Sequence, residues 1–121
     1  VFGRHGAEEM LGLRRRLLGA PDRVADAYEV LSADGDFDLV WLTFCAAHVA
    51  GHQFWDLSQL DPTGLDASSE RLLGTAMEDV YVAVDAAIGR VVQTVNLAPH
   101  RMNIPSRPAW FFDKARYVGI L

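Results

Sequence analysis

Two histidines four positions apart, His48 and His52, are the side chains whose type and spacing best suit chemistry in this sequence. If residues 46–55 form a helical turn, side chains at this spacing lie on one face, with Cβ atoms about 5–6 Å apart. Both imidazoles can then reach one metal ion at about 2.0–2.1 Å per Zn–N bond. Gly51 lies between them and leaves space for another backbone or a ligand. The spacing is therefore compatible with a shared metal site.

A zinc-protease site and a purely structural role are the two alternatives for this pair. The zincin motif also has two histidines at this spacing, but it requires a glutamate directly after the first one. That position is Val49 here, which excludes the protease interpretation. The structural alternative stays open at this point, because such pairs are common by chance and the two rings can simply pack and hydrogen-bond at the end of a strand.

An apolar run directly before the histidines predicts the element that positions them. Residues Leu39–Cys45 follow Asp38 and include one polar side chain, Thr43. A continuous apolar run bounded by turn signals is typical of a strand buried on both faces, as in parallel sheets. Ligands of open α/β sheets bind just beyond the carboxyl ends of such strands. The run therefore predicts a central strand with the two histidines at its tip.

Helices are predicted on both sides of this strand. Residues Ala7–Gly19 have helical periodicity, and Gly19-Ala20-Pro21 is expected to end that helix. Pro21-Asp22 is expected to open a second helix that reaches about Leu31. Farther along, Asp66 is expected to cap a long helix from Ala67 to about Val92. The apolar stripe of this long helix consists of Leu73, Met77, Val80, Val84, Ile88 and Val91.

The remaining segments are predicted as a loop and three short elements. The loop Asp56–Leu65 carries Asp56 and Asp61, either of which could add a carboxylate ligand, although loops are rich in aspartate for turn reasons. After the long helix we predict a short strand, an extended linker and a closing helix, at Gln93–Ala98, Ile104–Pro108 and Ala109–Leu121.

Length and composition limit the class of protein. The chain has 121 residues, of which 50% are hydrophobic and 22% charged, which indicates one small globular domain. Its net charge of −5 argues against nonspecific nucleic-acid binding. No apolar run approaches the roughly 20 residues that cross a membrane, and no signal peptide is recognisable. The single cysteine permits a reducing compartment, so the cytoplasm is favoured. The first residue is Val1 rather than methionine, which suggests a fragment or processed product.

The segment DLVWLTFCAAHVAGHQFW, residues 38–55, resembles the metal-binding segment of the alkaline phosphatase superfamily. The branch it resembles most is that of the type I phosphodiesterase/nucleotide pyrophosphatase-like proteins. In that family a strand ends at an acid, followed four residues later by a histidine, and both bind one metal of a two-metal site. His48 stands at the position of the acid and His52 at that of the histidine. Downstream, YVAVDAAIG, residues 81–89, is similar to the family's Y-x-x-x-D-x-x-I-G helix.

A third metal ligand is implied by the same resemblance. The family has a later S-D-H-G-M segment whose Asp and His bind the other metal of the two-metal site. His100 and Met102 match this segment, while Pro99 and Arg101 replace the Asp and the Gly. The resemblance thus implies divalent metal binding by His48 and His52 at one ion and by His100 at the other. Zinc is favoured, because imidazole suits it better than magnesium. The family's serine or threonine nucleophile segment has no counterpart in this chain.

Together these observations predict an α/β chain with a small partial parallel sheet and flanking helices, resembling part of the alkaline phosphatase-like fold. The expected function is metal-dependent hydrolysis of small phosphate esters or phosphodiesters. Two alternatives stay open, namely a catalytically inactive relative that binds metal or phosphate, and a small helical protein-interaction domain. An exposed sheet edge would also permit homo-oligomers.

Overall fold

The computed structural model describes residues 5–34, 37, 39–96 and 115–117. Helices form most of this part of the chain, and the strands are short. In chain order the elements are β1 (His5–Gly6), α1 (Ala7–Asp34), β2 (Leu39–Trp41), α2 (Ala46–Phe54), β3 (Leu60–Asp61), α3 (Ala67–Gly74), α4 (Ala76–Asn96) and β4 (Ala115–Tyr117). The coarse prediction of an α/β chain with a small parallel sheet is confirmed, and the likeness to the alkaline phosphatase fold stays a prediction.

The first helix, α1, is one continuous element, so the predicted break at Pro21 is wrong. Pro21 lies inside the helix and its side chain is among the most completely buried of the described residues. An interior proline removes one backbone hydrogen bond. Contacts to α4 hold the two halves of α1 in line, because α1 packs on α4 both before and after the proline.

Ion pairs show how α1 and α4 lie against each other. The Arg14 guanidinium donates to the Asp79 carboxylate at 2.6 Å. Farther along both helices, Arg90 donates to Asp26 at 2.7 Å and to Glu29 at 2.9 Å. A residue that lies later in α1 pairs with a residue that lies later in α4, so the two helices run in the same direction.

The hydrophobic core lies between all four helices. It contains Met10 and Leu17 of α1, and its other buried members come from α2, α3 and α4: Ala46, Ala50, Phe54, Leu73, Ala76 and Val80. Alanines at three of these positions let the backbones of α2 and α4 approach closely. Helix α2 is therefore fixed against α4 by one face.

The predicted long helix from Ala67 to Val92 is two helices, α3 and α4, separated at Thr75. The predicted cap is confirmed, since the Asp66 carboxylate accepts a hydrogen bond from the Ser69 backbone N–H at 2.7 Å. Gly74 has low helix propensity, and the Thr75 hydroxyl donates to Asp79 at 2.9 Å, which favours an interruption there.

Helix α4 also extends farther than the sequence suggested. It runs to Asn96, so the strand predicted at Gln93–Ala98 is wrong over its first four residues, and the rest lies outside the described residues.

Two separate parallel pairs of strands accompany the helices. In one, β1 pairs with β3, so that His5 lies opposite Leu60. In the other, β2 pairs with β4, so that Leu39 lies opposite Ala115. The described part of the predicted closing helix is thus a strand, and that prediction is wrong at residues 115–117.

The predicted central strand is shorter and less buried than expected. Strand β2 covers Leu39–Trp41, whereas residues 42–44 have no regular structure and Cys45 lies in a turn. All three side chains of β2 are exposed, and β4 is the main tertiary partner of β2 in the described structure. The expectation of burial on both faces is therefore wrong, because none of the described helices packs over β2 to any large extent.

Among the described helices, none combines the length and the apolar character that a membrane span requires.

Candidate metal centre

Helix α2 presents one buried and one exposed face, and its two histidines lie on the exposed one. Ala46, Ala50 and Phe54 are buried in the core. His48 and His52 are exposed. The predicted helical turn over residues 46–55 is confirmed, except that the regular helix ends at Phe54. The apolar i, i+4, i+8 positions drive this orientation, because their burial leaves the histidine positions facing solvent.

The two imidazole rings lie next to each other. Their centroids are 4.5 Å apart, and their planes meet at 80° in an edge-on arrangement. Among the described residues, neither ring takes part in a hydrogen bond or an ion pair. Their nitrogen lone pairs are therefore available for a ligand, and the proposed purely structural role gains no support from hydrogen bonding.

The surroundings of the pair suit a cation. His52 lies in the last turn of α2, where the partial negative charge of the helix C-terminus favours a positive ion. A Cβ placed on Gly51 would meet no atom within 4 Å, so the space that the sequence suggested at this glycine is open. Two adjacent imidazoles and a helix C-terminus are thus compatible with a divalent metal.

The described residues bring two side chains of a type that can bind zinc next to each other. Structural zinc sites have four protein ligands and catalytic sites have three plus water. In the part of the chain that the structure covers, no group of three His, Cys, Asp or Glu side chains is placed to hold an ion. The third predicted ligand, His100, lies outside the described residues.

The two loop aspartates are used by turns rather than brought to the histidines. The Asp56 carboxylate accepts a hydrogen bond from the Ser58 backbone N–H at 2.9 Å, and this bond holds the pKa of Asp56 below its usual value. The Asp61 carboxylate accepts from the Thr63 backbone N–H, also at 2.9 Å. Their positions agree with the turn role that aspartates commonly play in loops.

A third histidine, His5, belongs to a different part of the molecule. It lies on β1, and its Nδ1 is 3.0 Å from the Glu9 carboxylate. Its Nε2 is buried and has no hydrogen-bond partner in the described structure. His5 therefore offers a matched comparison for His48 and His52.

The exposed face of α2 contains two further side chains that the sequence analysis did not place there. Cys45, predicted inside a buried strand, is an exposed free thiol at the start of the helix. Trp55 follows the helix and is also exposed. The helical spacing of positions 45, 48, 52 and 55 was the signal that could have found this face.

The family-like positions Tyr81 and Asp85 lie one turn apart on α4, and both are exposed. Comparisons with models of known protein families, with curated proteins and with solved structures found no match.

Proposed function

We propose that this chain binds a divalent metal ion, zinc in the first place, through His48 and His52, and that the ion serves the hydrolysis of small phosphate esters. The observation that carries the proposal is the 4.5 Å approach of two exposed imidazoles on one face of α2. The sequence resemblance of residues 38–55 to the alkaline phosphatase superfamily supplies the reaction class. Residues outside the described part, His100 among them, are proposed to complete the site.

The roles of the chain's own residues follow from their positions. Each histidine offers one ring nitrogen to the ion, and the packing of Ala46, Ala50 and Phe54 fixes the helix that carries both rings. A bound divalent ion would polarise a phosphoryl oxygen and stabilise developing negative charge. Because the histidine face is open to solvent, a phosphate ester can approach without rearrangement of the helical core.

The first experiment measures zinc binding by isothermal titration calorimetry on the full chain. We expect His48→Ala and His52→Ala each to weaken zinc binding by at least about tenfold, because one of two described ligands is lost. His5→Ala is the matched control and is expected to bind zinc like the unchanged protein, since His5 lies on β1. Equal zinc affinity in all four proteins would contradict the proposal.

The second experiment tests the reaction class. Release of p-nitrophenol from p-nitrophenyl phosphate and from its bis ester is measured with and without added zinc. We expect zinc-dependent release that is lost in His52→Ala and kept in His5→Ala. Zinc binding without turnover of either ester would instead favour the catalytically inactive, metal-binding alternative.

A second candidate function, self-association, rests on strand β2. Its three apolar side chains, Leu39, Val40 and Trp41, are all exposed. Exposed apolar strands with an open edge tend to pair with another strand. We propose a second copy of the chain as that partner. Light scattering after size-exclusion chromatography tests this, since Val40→Lys should shift a concentration-dependent dimer to monomer, and a monomer at all concentrations of the unchanged chain would rule it out.

A further inference from the structure

A run of three arginines, Arg14 to Arg16, lies in the first half of α1. The negative C-terminus of a helix stabilises nearby arginines, but α1 continues to Asp34, so this explanation does not apply here. Arg14 is paired with Asp79. Arg15 and Arg16 are exposed, and among the described residues neither takes part in a hydrogen bond or an ion pair.

The guanidinium groups of Arg15 and Arg16 meet over Gly12. A Cβ placed on this glycine would lie 3.6 Å from Nη1 of Arg16 and 3.7 Å from Nη2 of Arg15. Helix geometry explains this arrangement, because residues three and four apart are neighbours on the helix surface and side chains lean toward the N-terminus. Two positive charges therefore flank one position at which the chain has no side chain.

No carboxylate is paired with Arg15 or Arg16 in the part of the chain that the structure describes, although the sequence has 16 acidic residues against 11 basic ones. Glu8 and Glu9 lie about one turn before the two guanidinium groups on α1. Glu9 contacts an imidazole instead, and Glu8 forms no ion pair within the described structure. Like charges that converge without a counterion repel each other, so an anion is the ligand that this position favours.

We infer that Gly12, Arg15 and Arg16 form a binding site for a dianionic phosphoryl group, such as that of inorganic phosphate or of a phosphate monoester. Each guanidinium can donate charge-assisted hydrogen bonds of about 2.7–2.9 Å to phosphoryl oxygens. Because Gly12 has no side chain, the anion can approach the helix surface between the two groups. Two positive charges match the two negative charges of the ligand. The site lies on α1 and requires no metal, so it is independent of the histidine pair on α2.

The surroundings of this site favour a small anion over a nucleic acid. Arg23, the next arginine along α1, lies beside Gly19, where a Cβ would meet its Nη1 at 3.3 Å and no second arginine is near. Two aspartates, Asp22 and Asp26, adjoin it on the same helix. A nucleic acid needs an extended basic surface that neutralises several phosphates. One isolated pair of guanidinium groups in a chain of net charge −5 instead suits a single phosphoryl group.

The test is a titration of the full chain with inorganic phosphate in low-salt buffer, followed by NMR of the arginine Nε–Hε groups. The signals of Arg15 and Arg16 should shift, and that of Arg23 should not. Arg15→Gln and Arg16→Gln should each weaken phosphate binding about three- to tenfold, because one of two charge-assisted contacts is lost. Arg23→Gln is the matched control, since it removes the same charge from the same helix beside a glycine that only one arginine approaches. Equal weakening in all three variants would overturn the inference.

Two glycine variants separate binding from folding. Gly12→Ala places a methyl group between the two guanidinium groups and replaces a residue of low helix propensity, so it should raise the melting temperature and weaken phosphate binding. Gly19→Ala should also raise the melting temperature but leave phosphate binding unchanged. If both variants, or neither of them, lost phosphate binding, the anion would not lie at Gly12.

Three further anions define the ligand, at about pH 8, where phosphate monoesters are dianions. Methyl phosphate should bind about as tightly as inorganic phosphate if the site takes phosphate monoesters, whereas binding of inorganic phosphate alone would assign the site to the free ion. Dimethyl phosphate and acetate carry one negative charge and should bind at least about threefold more weakly. Acetate binding as tight as that of phosphate, or no shift of Arg15 and Arg16 with any anion, would refute the site.

Discussion

Leu73→Ala, with Leu72→Ala as its control, tests whether the hydrophobic core supports α2, the helix that bears the two histidines. Leu73 is only 1% exposed and packs in the cluster that contains Ala50 and Phe54 of α2, whereas Leu72 is 40% exposed. The two residues have the same chemistry, the same helix and the same intrinsic helix propensity. Any difference between Leu73→Ala and Leu72→Ala therefore reports burial alone.

The expected magnitudes differ clearly. Leucine to alanine in a core removes buried methyl groups and leaves a cavity, at a cost of about 2–5 kcal/mol. Substitutions of exposed side chains usually change stability by less than about 0.5 kcal/mol. A chain of 121 residues is expected to have an unfolding free energy of about 6–18 kcal/mol. Leu73→Ala should thus remove a substantial part of the total stability.

Urea unfolding followed by circular dichroism at the helix band is the assay. With a urea m-value of about 2 kcal/mol per molar, Leu73→Ala should lower the midpoint by about 1–2.5 M. Leu72→Ala should move it by only a few tenths of a molar. If the two variants unfolded at the same urea concentration, α3 would not pack through the Leu73 face, and the description of the core would be wrong.

Three further outcomes follow from the described contacts. Arg14 and Thr75 hold the pKa of Asp79 below its usual value, so the stability from this contact is present at neutral pH and is lost as pH falls through the lowered pKa. Asp79→Asn should therefore lower stability at neutral pH and flatten its decline in acid, which melting at a series of pH values will check. Gly64 has a φ of +79°, so Gly64→Ala should destabilise the protein by about 1 kcal/mol in urea unfolding; an unchanged midpoint would contradict the left-handed backbone at this position. Arg90→Ala removes the ion pairs with Asp22, Asp26 and Glu29, and its effect on the melting temperature should shrink in high salt; an effect independent of salt would argue that packing matters more than charge.

The histidine pair shows which structural features can be predicted from a local sequence pattern. The spacing of His48 and His52 predicted a shared face, and the structure places the two rings side by side on α2. This prediction was possible because i, i+4 geometry depends only on the helix itself. The strand that was expected to deliver them was predicted less well, since a run of apolar residues does not say what covers it.

Breaks and ends of helices were the weakest predictions, for reasons that lie outside each segment. Pro21 is a helix breaker by local rules, but contacts of α1 with α4 on both sides of it keep the helix continuous. The interruption at Thr75 has a local contribution from Gly74, yet it also depends on the carboxylate of Asp79, which is shared with Arg14 of α1.

By itself the sequence determined the amphipathic periodicity of its helices, the cap at Asp66 and the common face of His48 and His52. Each of these depends on residues within about one or two helical turns. Only the tertiary structure decided that α1 passes through Pro21, that Arg14 meets a carboxylate 65 positions away, and that the side chains of β2 stay exposed. These features depend on which distant surfaces meet, and burial between distant segments is a property of the whole packed chain rather than of any short stretch.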